Sequence, residues 1–507
     1  MPTVRPTAAL ALLAMALPLP AAAQERPREE DLFGAPPAAP AATRPGEAAP
    51  SPGAERPGEA EVLSGGEGAE SRLGRRLGET ENPLQIGGQL YLRFSLSSFE
   101  DQPPSRWTFS SPSLADVFLD ARPTERVRGY GLARTFYDPN PPSGLGQLTQ
   151  VGVTSAPGAG TARVALDQLW LSFDAARRVF VTVGKQHVKW GTGRFWNPTD
   201  FLHVRRRDPL AAFDDRGGTA MARASLPLGE GRGGLTAAAV VERLAPPSEP
   251  LVPVEGAAPE RPAAELGAVG GAARAEVVLG TWELGADAVA QRGMRPRYGL
   301  DVSGGLWELD LRGEVAFRTG SDVPALRPGE ETVRVEGVAT PVPLPWRRVQ
   351  RRGVWTQAVG SVEWSHKYSD EDTFTVGAEY FWNEAGYSDR DAYPVLAFWN
   401  AFTPFYLGRH YAAAFLLLPR PGSWNDTTFI LTGIANLSDR SGVVRLDWQT
   451  TVLTHVRLEA FVQGHLGRRG GEFRFEVDVP PIDPVLPQGL KVLPPAADVG
   501  LALRVAL

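Results

Sequence analysis

Long runs of alternating apolar and polar residues constrain this chain more than any other feature. In the stretch LQIGGQLYLRFSLS, Ile86, Leu90 and Phe94 fall on one face, whereas Gln89 and Arg93 fall on the other. A period of two is that of a β-strand with one apolar face. Because the alternation recurs to the last residues, the sequence predicts an all-β fold.

The length and the charges of these runs favour a membrane barrel. The runs last ten to fourteen residues, whereas strands of soluble proteins average ~5–6 residues and a transmembrane strand needs ~9–11. In WELDLRGEVAFRTG, Asp310, Arg312 and Glu314 share one face opposite an apolar face. A polar lumen and a lipid-facing exterior produce this pattern in a closed sheet. A soluble all-β fold is the alternative.

The spacing of the runs predicts a transmembrane antiparallel β-barrel of about 18 strands, within the range 16–18. The predicted strands include 178–190, 233–244 and 266–279. Short connections alternate with long ones, and the long ones are 138–161, 191–217, 245–265, 320–353, 384–408 and 467–495. Short periplasmic turns and long external loops are typical of outer-membrane barrels, and an even strand count returns both ends of the barrel to the periplasm.

The N-terminal part of the chain predicts export from the cytoplasm. Residues 1–23 combine Arg5, an apolar run and small residues before Gln24, which is typical of a cleaved signal peptide, although a retained anchor is the alternative. Residues 24–82 are rich in Pro, Ala and Glu and nearly lack aromatic residues, so we expect a disordered periplasmic linker. Residues 83–507 then form the barrel in the outer membrane of a Gram-negative cell.

Composition argues against several classes of function. There is no cysteine and there are only six histidines, so we expect no metal site and no cofactor. A net charge of −6 gives no basic footprint, so nucleic acid is not an expected partner. Neither a G-x-S-x-G elbow nor an H-E-x-x-H motif is present. The sequence therefore predicts a protein that is not an enzyme.

One segment resembles a known family. In porin-like and alginate-export-like outer-membrane β-barrels, a strand ending in G-x-Q-x-x-x-W-G-x-G runs into an F/W-N-P-T-D loop followed by D-P-L. The stretch Gly184–Leu210 carries these residues as Gly184, Gln186, Trp190, Gly191, Gly193, Trp196, Asn197, Pro198, Thr199, Asp200, Asp208, Pro209 and Leu210. The resemblance implies a porin-like barrel. By the strand count the 191–217 segment is its third external loop, and the resemblance to general porins implies that this loop folds inward and narrows the lumen.

Several residues of this segment suit the positioning of a loop. Glycines such as Gly191 and Gly193 adopt backbone conformations that other residues avoid. The pair Asn197-Pro198 favours a turn. We expect Trp190 and Trp196 to pack the loop against the wall or to lie at the membrane interface.

The charges of the segment are its candidates for function. Rows of basic and acidic side chains at a constriction select anions or orient dipolar solutes. The candidate constriction residues are Arg194, Asp200, Arg205, Arg206, Arg207, Asp208, Asp214, Asp215 and Arg216, and lumen-facing Arg93, Arg312 and Arg457 could cooperate with them. The alternative is a solvated external loop whose charges pair with one another or with lipopolysaccharide phosphates.

The final run, ADVGLALRVAL, resembles the C-terminal signal of outer-membrane barrels, although it ends in Leu507 rather than in an aromatic residue. This resemblance implies the barrel-assembly machinery as a partner, together with outer-membrane lipids and lipopolysaccharide. The sequence leaves open a homo-oligomer and a periplasmic partner for residues 24–82.

The function that these features favour is an outer-membrane channel for passive diffusion of small polar or anionic solutes. The first alternative is an export conduit or assembly partner for an acidic polysaccharide or lipid. The second is a barrel hydrolase, in which His187 and His203 would act with Asp200 and Asp208.

Overall fold

Most of the predicted barrel is described by a computed structural model. It covers residues 83–140, 162–214, 216–229, 232–244, 254, 268–320, 325–335, 341–479 and 490–507. The predicted signal peptide (1–23) and linker (24–82) lie outside the described residues, as does Asp215. None of the helices in these ranges is long and apolar enough to cross a membrane.

Eighteen strands in the described ranges form the wall of the fold. In chain order, β1 to β18 are Leu84–Phe99, Ser113–Thr124, Val127–Tyr137, Arg163–Ala175, Val179–Gln186, Thr219–Leu228, Gly233–Val240, Gly270–Leu279, Trp282–Gln291, Arg297–Leu306, Leu309–Thr319, Val354–Lys367, Thr373–Asn383, His410–Pro419, Thr427–Asn436, Ser441–Leu453, Val456–Gly467 and Pro495–Ala506. Each strand pairs antiparallel with its neighbours in sequence.

The sheet is closed by pairing of its first and last strands. β1 pairs with β2 along one edge and with β18 along the other, where Gln89 lies opposite Ala506 and Phe94 opposite Leu501. A short strand, Thr108–Ser110, adds to β1 at the external end. The predicted antiparallel barrel and its count of eighteen strands are therefore confirmed.

Burial follows the predicted alternation. Tyr91 and Arg93 are 3% and 1% exposed, whereas Leu90 and Phe94, which flank them in the strand, are 37% and 51% exposed. A closed sheet has one face toward its interior, and the buried set lies on that face. The exposed apolar set forms the band that suits a lipid environment.

The expectation of a polar interior is wrong along one part of the wall. In β13 to β15 the inward face carries Phe381, Tyr411, Phe415, Leu417 and Ile430, all 7% exposed or less. These side chains form one cluster with residues of the 191–217 segment. The inward face is apolar there because it contacts a packed loop and not the water of the lumen.

Some strands are shorter than predicted. Predicted strand 178–190 ends at Gln186, predicted strand 233–244 ends at Val240, and predicted strand 266–279 begins at Gly270. After Gln186 the chain leaves the wall, because Val188 and Trp190 turn inward and pack with the ends of β6 and β7.

The long external loops share a hydrophobic core of their own. Loop 320–353, which was predicted without strands, contains the hairpin Ala325–Val333 and Val342–Val349. Loop 384–408 contains the turns of helix Arg390–Ala392 and Tyr393–Phe398, and the last loop contains Glu472–Arg474 and the strands Val477–Val479 and Leu490–Val492. Their buried residues, including Trp346, Tyr393 and Phe475, form one cluster. A further short helix, Pro104–Arg106, lies in the first loop.

The outward band predicts a depth-dependent cost for added charge. Leu431, 42% exposed at the middle of β15, is expected to lie near the bilayer centre, and Leu453, 65% exposed, ends β16 on the periplasmic side. In urea unfolding from lipid bilayers, Leu431→Arg should lower the free energy of unfolding by about 2–4 kcal/mol and Leu453→Arg by about 0–1 kcal/mol. Equal losses would contradict the assigned outward face and depth.

Candidate functional site

The connection between β5 and β6, residues 187–218 and called the inward segment below, lies within the closed sheet. Its residues contact inward-facing side chains on distant strands: Glu314 on β11, Glu379 on β13 and Tyr91 on β1. Most of its described residues are buried. The inward segment is thus the third external connection, and it crosses the interior rather than extending into solvent.

Glu314 holds the start of this segment by its backbone. The Glu314 carboxylate accepts hydrogen bonds from the amides of Thr192 and Gly193, both at 2.5 Å, and from the Thr199 hydroxyl at 2.8 Å. Gly191 has a φ of 94°, and a Cβ there would lie 2.7 Å from the Glu314 oxygens. A Cβ on Gly193 would lie 2.1 Å from the carbonyl oxygen of Trp196. Glycine is needed at 191 for conformation and space, and at 193 for space.

Glu379 holds the next turn in the same way. Its carboxylate accepts hydrogen bonds from three consecutive amides, those of Arg194 (2.7 Å), Phe195 (2.9 Å) and Trp196 (2.8 Å). The Arg194 guanidinium bonds to Glu363 on β12 at 3.1 Å and lies over the Phe415 ring. Arg194 therefore fastens the loop to the wall.

The turn and the two tryptophans complete this anchor. The Asp200 amide donates to the Asn197 carbonyl at 3.2 Å across Pro198, and the Asn197 side chain donates to the Gly193 carbonyl at 2.8 Å. Trp196 is fully buried, and its indole nitrogen donates to the Phe405 carbonyl at 2.9 Å. Trp190 is buried inside the barrel on the β6 and β7 side. Both tryptophans pack inside the barrel and not at the lipid interface.

Asp200, Asp214 and Arg216 form a compact ion network. Arg216 donates to Asp200 at 2.8 Å and to Asp214 at 2.8 Å, and His203 bonds to Asp200 at 2.9 Å. Burial opposes ionisation, but His203 and Arg216 hold the pKa of Asp200 well below its usual range. Arg216 likewise lowers the pKa of Asp214 against burial. His203 and Arg216 therefore neutralise these two carboxylates locally.

The remaining predicted charges lie further along the segment. Arg205 is exposed, and Asp208 accepts a hydrogen bond from the Leu210 amide at 2.8 Å. Arg206 is half-buried over the Tyr406 ring, and Arg207 is 7% exposed with a contact of 3.5 Å to the Arg194 carbonyl. Burial lowers the pKa of both Arg206 and Arg207. Within the described ranges, neither forms an ion pair with a carboxylate.

The structure brings together most of the residues of the hydrolase alternative. His203 contacts Asp200 at 2.9 Å and His187 at 3.4 Å, and His187 lies 3.3 Å from Asp167. Both ring nitrogens of His203 are thereby occupied, so His203 is not placed to activate a hydroxyl nucleophile. Asp208 lies outside these contacts and caps Leu210 instead.

A cavity lies between the inward segment and the opposite wall. It is lined by Leu210 to Ala212 of the segment and by three wall arginines, Arg445, Arg457 and Arg504. Asp447 bonds to Arg445 at 2.8 Å, and Glu459 lies 3.1 Å from Arg504. Of the other predicted lumen arginines, Arg93 is buried over Phe461 and Arg312 pairs with Glu363 at 3.0 Å.

A second buried polar cluster ties the external loops to the rim. Glu472 accepts hydrogen bonds from the Tyr411 hydroxyl at 2.6 Å, from the side-chain amide of Asn436 at 2.7 Å and from the backbone amide of Phe405. Burial, reinforced by Asp439, raises the pKa of Glu472 to about 8. This carboxyl group holds a proton that an exposed glutamate would lose.

Sequence reasoning missed the residues that anchor the segment. Glu314 was recognised as a lumen-facing charge, but its partners in the inward segment, like the segment partners of Glu363 and Glu379, lie more than a hundred residues earlier in the chain. Their one sequence signal is an acidic residue on the inward face of a strand. Nothing in the sequence marks Glu472 and Asp439 as buried, because they lie in a loop and a turn where polar and apolar residues do not alternate.

Release of the anchor should expose the segment to protease. In a Glu314→Ala, Glu379→Ala double variant, several buried amides lose their acceptors, at about 1–3 kcal/mol each. External trypsin should then cleave at Arg205 to Arg207 at least about tenfold faster, because cleavage follows the open population. Glu125→Ala, at an exposed periplasmic turn, serves as control. Unchanged cleavage in a double variant that keeps its folded gel mobility would contradict the anchoring role.

The raised pKa of Glu472 predicts looser loops at high pH. The folded state binds a proton that the opened state releases, so stability present at low pH is lost as pH rises toward about 8. At ~1.4 kcal/mol per pKa unit, opening at the Phe405 amide should become about 2 kcal/mol easier between pH 6 and pH 8. Hydrogen exchange corrected for intrinsic rates measures this change. Glu472→Gln should abolish it and Glu384→Gln should not, whereas persistence in Glu472→Gln would refute the assignment.

This chain is similar to known proteins in structure and not in sequence. No family model matches the sequence, and no curated protein is significantly similar to it. The structure is similar to OccAB1 of Acinetobacter baumannii (TM-score 0.49, 8% identity, 84% of this chain and 96% of that chain). It is also similar to a BenF-like porin from Pseudomonas fluorescens (TM-score 0.45, 11% identity, 84% and 98%).

A third similar structure is Wzi of Escherichia coli, described as a carbohydrate-binding β-barrel involved in group 1 capsule assembly (TM-score 0.44, 11% identity, 86% and 87%). The expectation drawn from Gly184–Leu210 and from the strand pattern is confirmed at the level of architecture. The chain forms a closed barrel of eighteen antiparallel strands with an apolar band outside, which is the architecture of outer-membrane β-barrels.

Proposed function

We propose that this protein is an outer-membrane channel through which small polar solutes, and anions in particular, diffuse passively. The inward segment narrows the lumen in this proposal, and its anchors on Glu314 and Glu379 keep it in place. A rigid constriction with fixed charges selects solutes without a cofactor.

The pair Arg206 and Arg207 carries this proposal. Arg194 and Arg216 of the same segment are matched by Glu363, Asp200 and Asp214. Arg206 and Arg207, in contrast, have no carboxylate within ion-pair distance among the described residues. A guanidinium keeps its charge even where burial lowers its pKa. Two such charges inside the barrel attract anions and repel cations.

The arginine-lined cavity supports the same preference. Three guanidinium groups, of Arg445, Arg457 and Arg504, face two carboxylates, of Asp447 and Glu459, beside the inward segment. Among the residues that line this cavity, basic side chains outnumber acidic ones by three to two. An anion that passes the constriction therefore meets further cationic partners.

The test is ion selectivity in planar bilayers. The refolded wild-type protein should conduct, with a reversal potential in a KCl gradient that shows preference for chloride. In Arg206→Gln, Arg207→Gln, the anion-to-cation permeability ratio should fall at least about fivefold, because each charge at ~8 Å in water changes the energy of a passing ion by about 0.5 kcal/mol. Arg177→Gln, Arg178→Gln, at an exposed periplasmic turn, removes the same charge outside the lumen and should change the ratio little.

Other outcomes would overturn parts of the proposal. A folded wild-type protein that carries no current would exclude the channel and favour the alternative of an export or assembly partner for an acidic polysaccharide or lipid. Unchanged selectivity in the Arg206, Arg207 variant would move the selective site elsewhere. Hydrolysis of lipid by the wild type, abolished in His203→Ala, would favour the hydrolase.

A further inference from the structure

An arginine-rich hairpin lies at the external rim of the barrel. The described parts of loop 320–353, residues 325–335 and 341–353, carry six arginines and two glutamates. One of these arginines serves the loop itself: Arg348 pairs with Glu331 at 2.7 Å and lies 3.6 Å above the Trp399 ring. Arg327 and Arg347 of the same hairpin have no such pairing among the described residues.

Two of them oppose each other across the hairpin. Arg327 and Arg347 are paired in the strand register, and both are exposed. Like charges directly opposite each other destabilise a β-ladder. Within the described ranges neither has a carboxylate at ion-pair distance. The hairpin therefore keeps a repulsive pair on its surface that does not contribute to its own folding.

Two further arginines join this pair from neighbouring loops. Arg351 donates to the Ala385 carbonyl at 2.8 Å, and Arg409 donates to the adjacent Gly386 carbonyl at 3.1 Å. Bonds to consecutive carbonyls hold the two guanidinium groups near each other. Burial lowers the pKa of Arg351, and the positive charges of Arg409 and Arg327 lower it further. Arg327, Arg347, Arg351 and Arg409 thus form one cationic surface, called the arginine rim below.

The arginine rim lies just above the outward band of the barrel. Arg351 precedes Val354, the first residue of β12, whose side chain is 61% exposed. Arg409 precedes His410, whose ring bonds to the outward-facing Tyr380 hydroxyl at 2.6 Å. Tyr380 and Trp382, 45% and 36% exposed, lie at the external end of β13. Outward tyrosine and tryptophan mark the membrane interface, so the rim lies at the height of the outer-leaflet head groups.

We propose that the arginine rim binds the phosphate groups of lipopolysaccharide in the outer leaflet. A guanidinium binds phosphate through two parallel hydrogen bonds, so phosphate suits a surface built from arginine rather than lysine. A phosphate bound between Arg327 and Arg347 replaces their repulsion with two attractions. The height of the rim favours a membrane lipid over a soluble polysaccharide, which would be met further from the bilayer.

The test uses the full chain refolded in detergent and purified lipid A, in its bisphosphorylated form and after removal of both phosphates. Native mass spectrometry measures binding of each. Arg327→Gln, Arg347→Gln, Arg409→Gln should bind bisphosphorylated lipid A at least about tenfold more weakly than wild type, given the attraction of each basic residue to an anionic membrane surface. Binding of the dephosphorylated form should be equal in the two proteins.

The matched control is Arg177→Gln, Arg178→Gln, Arg232→Gln, which removes three exposed arginines at periplasmic turns and should bind like wild type. If the triple rim variant does not reach its folded gel mobility, Arg347→Gln alone is the substitute. It should weaken binding two- to threefold, because one of three equal charges contributes about a third of the binding free energy lost in the triple variant. Equal affinity of rim variant and wild type would overturn the proposal. So would tighter binding of polygalacturonate than of lipid A, which would assign the rim to a polysaccharide.

Discussion

The structure depends on the need of every lipid-exposed strand to find backbone partners within its own chain. An open edge on β1 or β18 would leave a row of peptide groups unpaired in the bilayer. Pairing of these two strands, from Gln89 opposite Ala506 to Ser98 opposite Ala497, removes both edges at once. Closure then fixes an inside and an outside, and every side chain is assigned to one of them by its position in the two-residue period.

The backbone amides of the inward segment also need hydrogen-bond partners, and no neighbouring strand provides them. Once the chain leaves β5, its amides lie in the interior without a ladder to join, and unsatisfied buried amides are costly. Glu314 and Glu379 solve this by accepting several amides each, much as an anion is held by successive backbone groups. The absence of a side chain at Gly191 and Gly193 lets the carboxylate and the backbone approach. The motif in the sequence therefore supplies the amides of the anchor, and the carboxylates that accept from them lie on distant strands of the wall.

The fold was predictable from the sequence because period and strand length are local properties. The strands around Leu92 and Phe317 show the two-residue period and the length of a membrane strand, and these two properties predicted the eighteen wall strands. β14 shows the limit, because HYAAAFLLLP is apolar on both faces and only the packed loop explains why Phe415 points inward. The anchors Glu314 and Glu379 and the buried Glu472 could not be assigned, since their partners are set by closure of the sheet and not by neighbours in the chain.

The arginines of this chain differ in whether a carboxylate lies close enough to neutralise their charge. Arg216 has two carboxylates and Arg348 has a carboxylate and an aromatic ring, so each contributes to holding a loop. Arg206, Arg207, Arg327 and Arg347 have no such carboxylate among the described residues, and the barrel wall separates the first pair in the interior from the second at the rim. A buried or crowded cation without a counterion costs free energy that the fold must supply elsewhere. An anion that visits either place recovers part of that cost, so the same chemistry supports a mobile solute inside and a resident lipid phosphate outside.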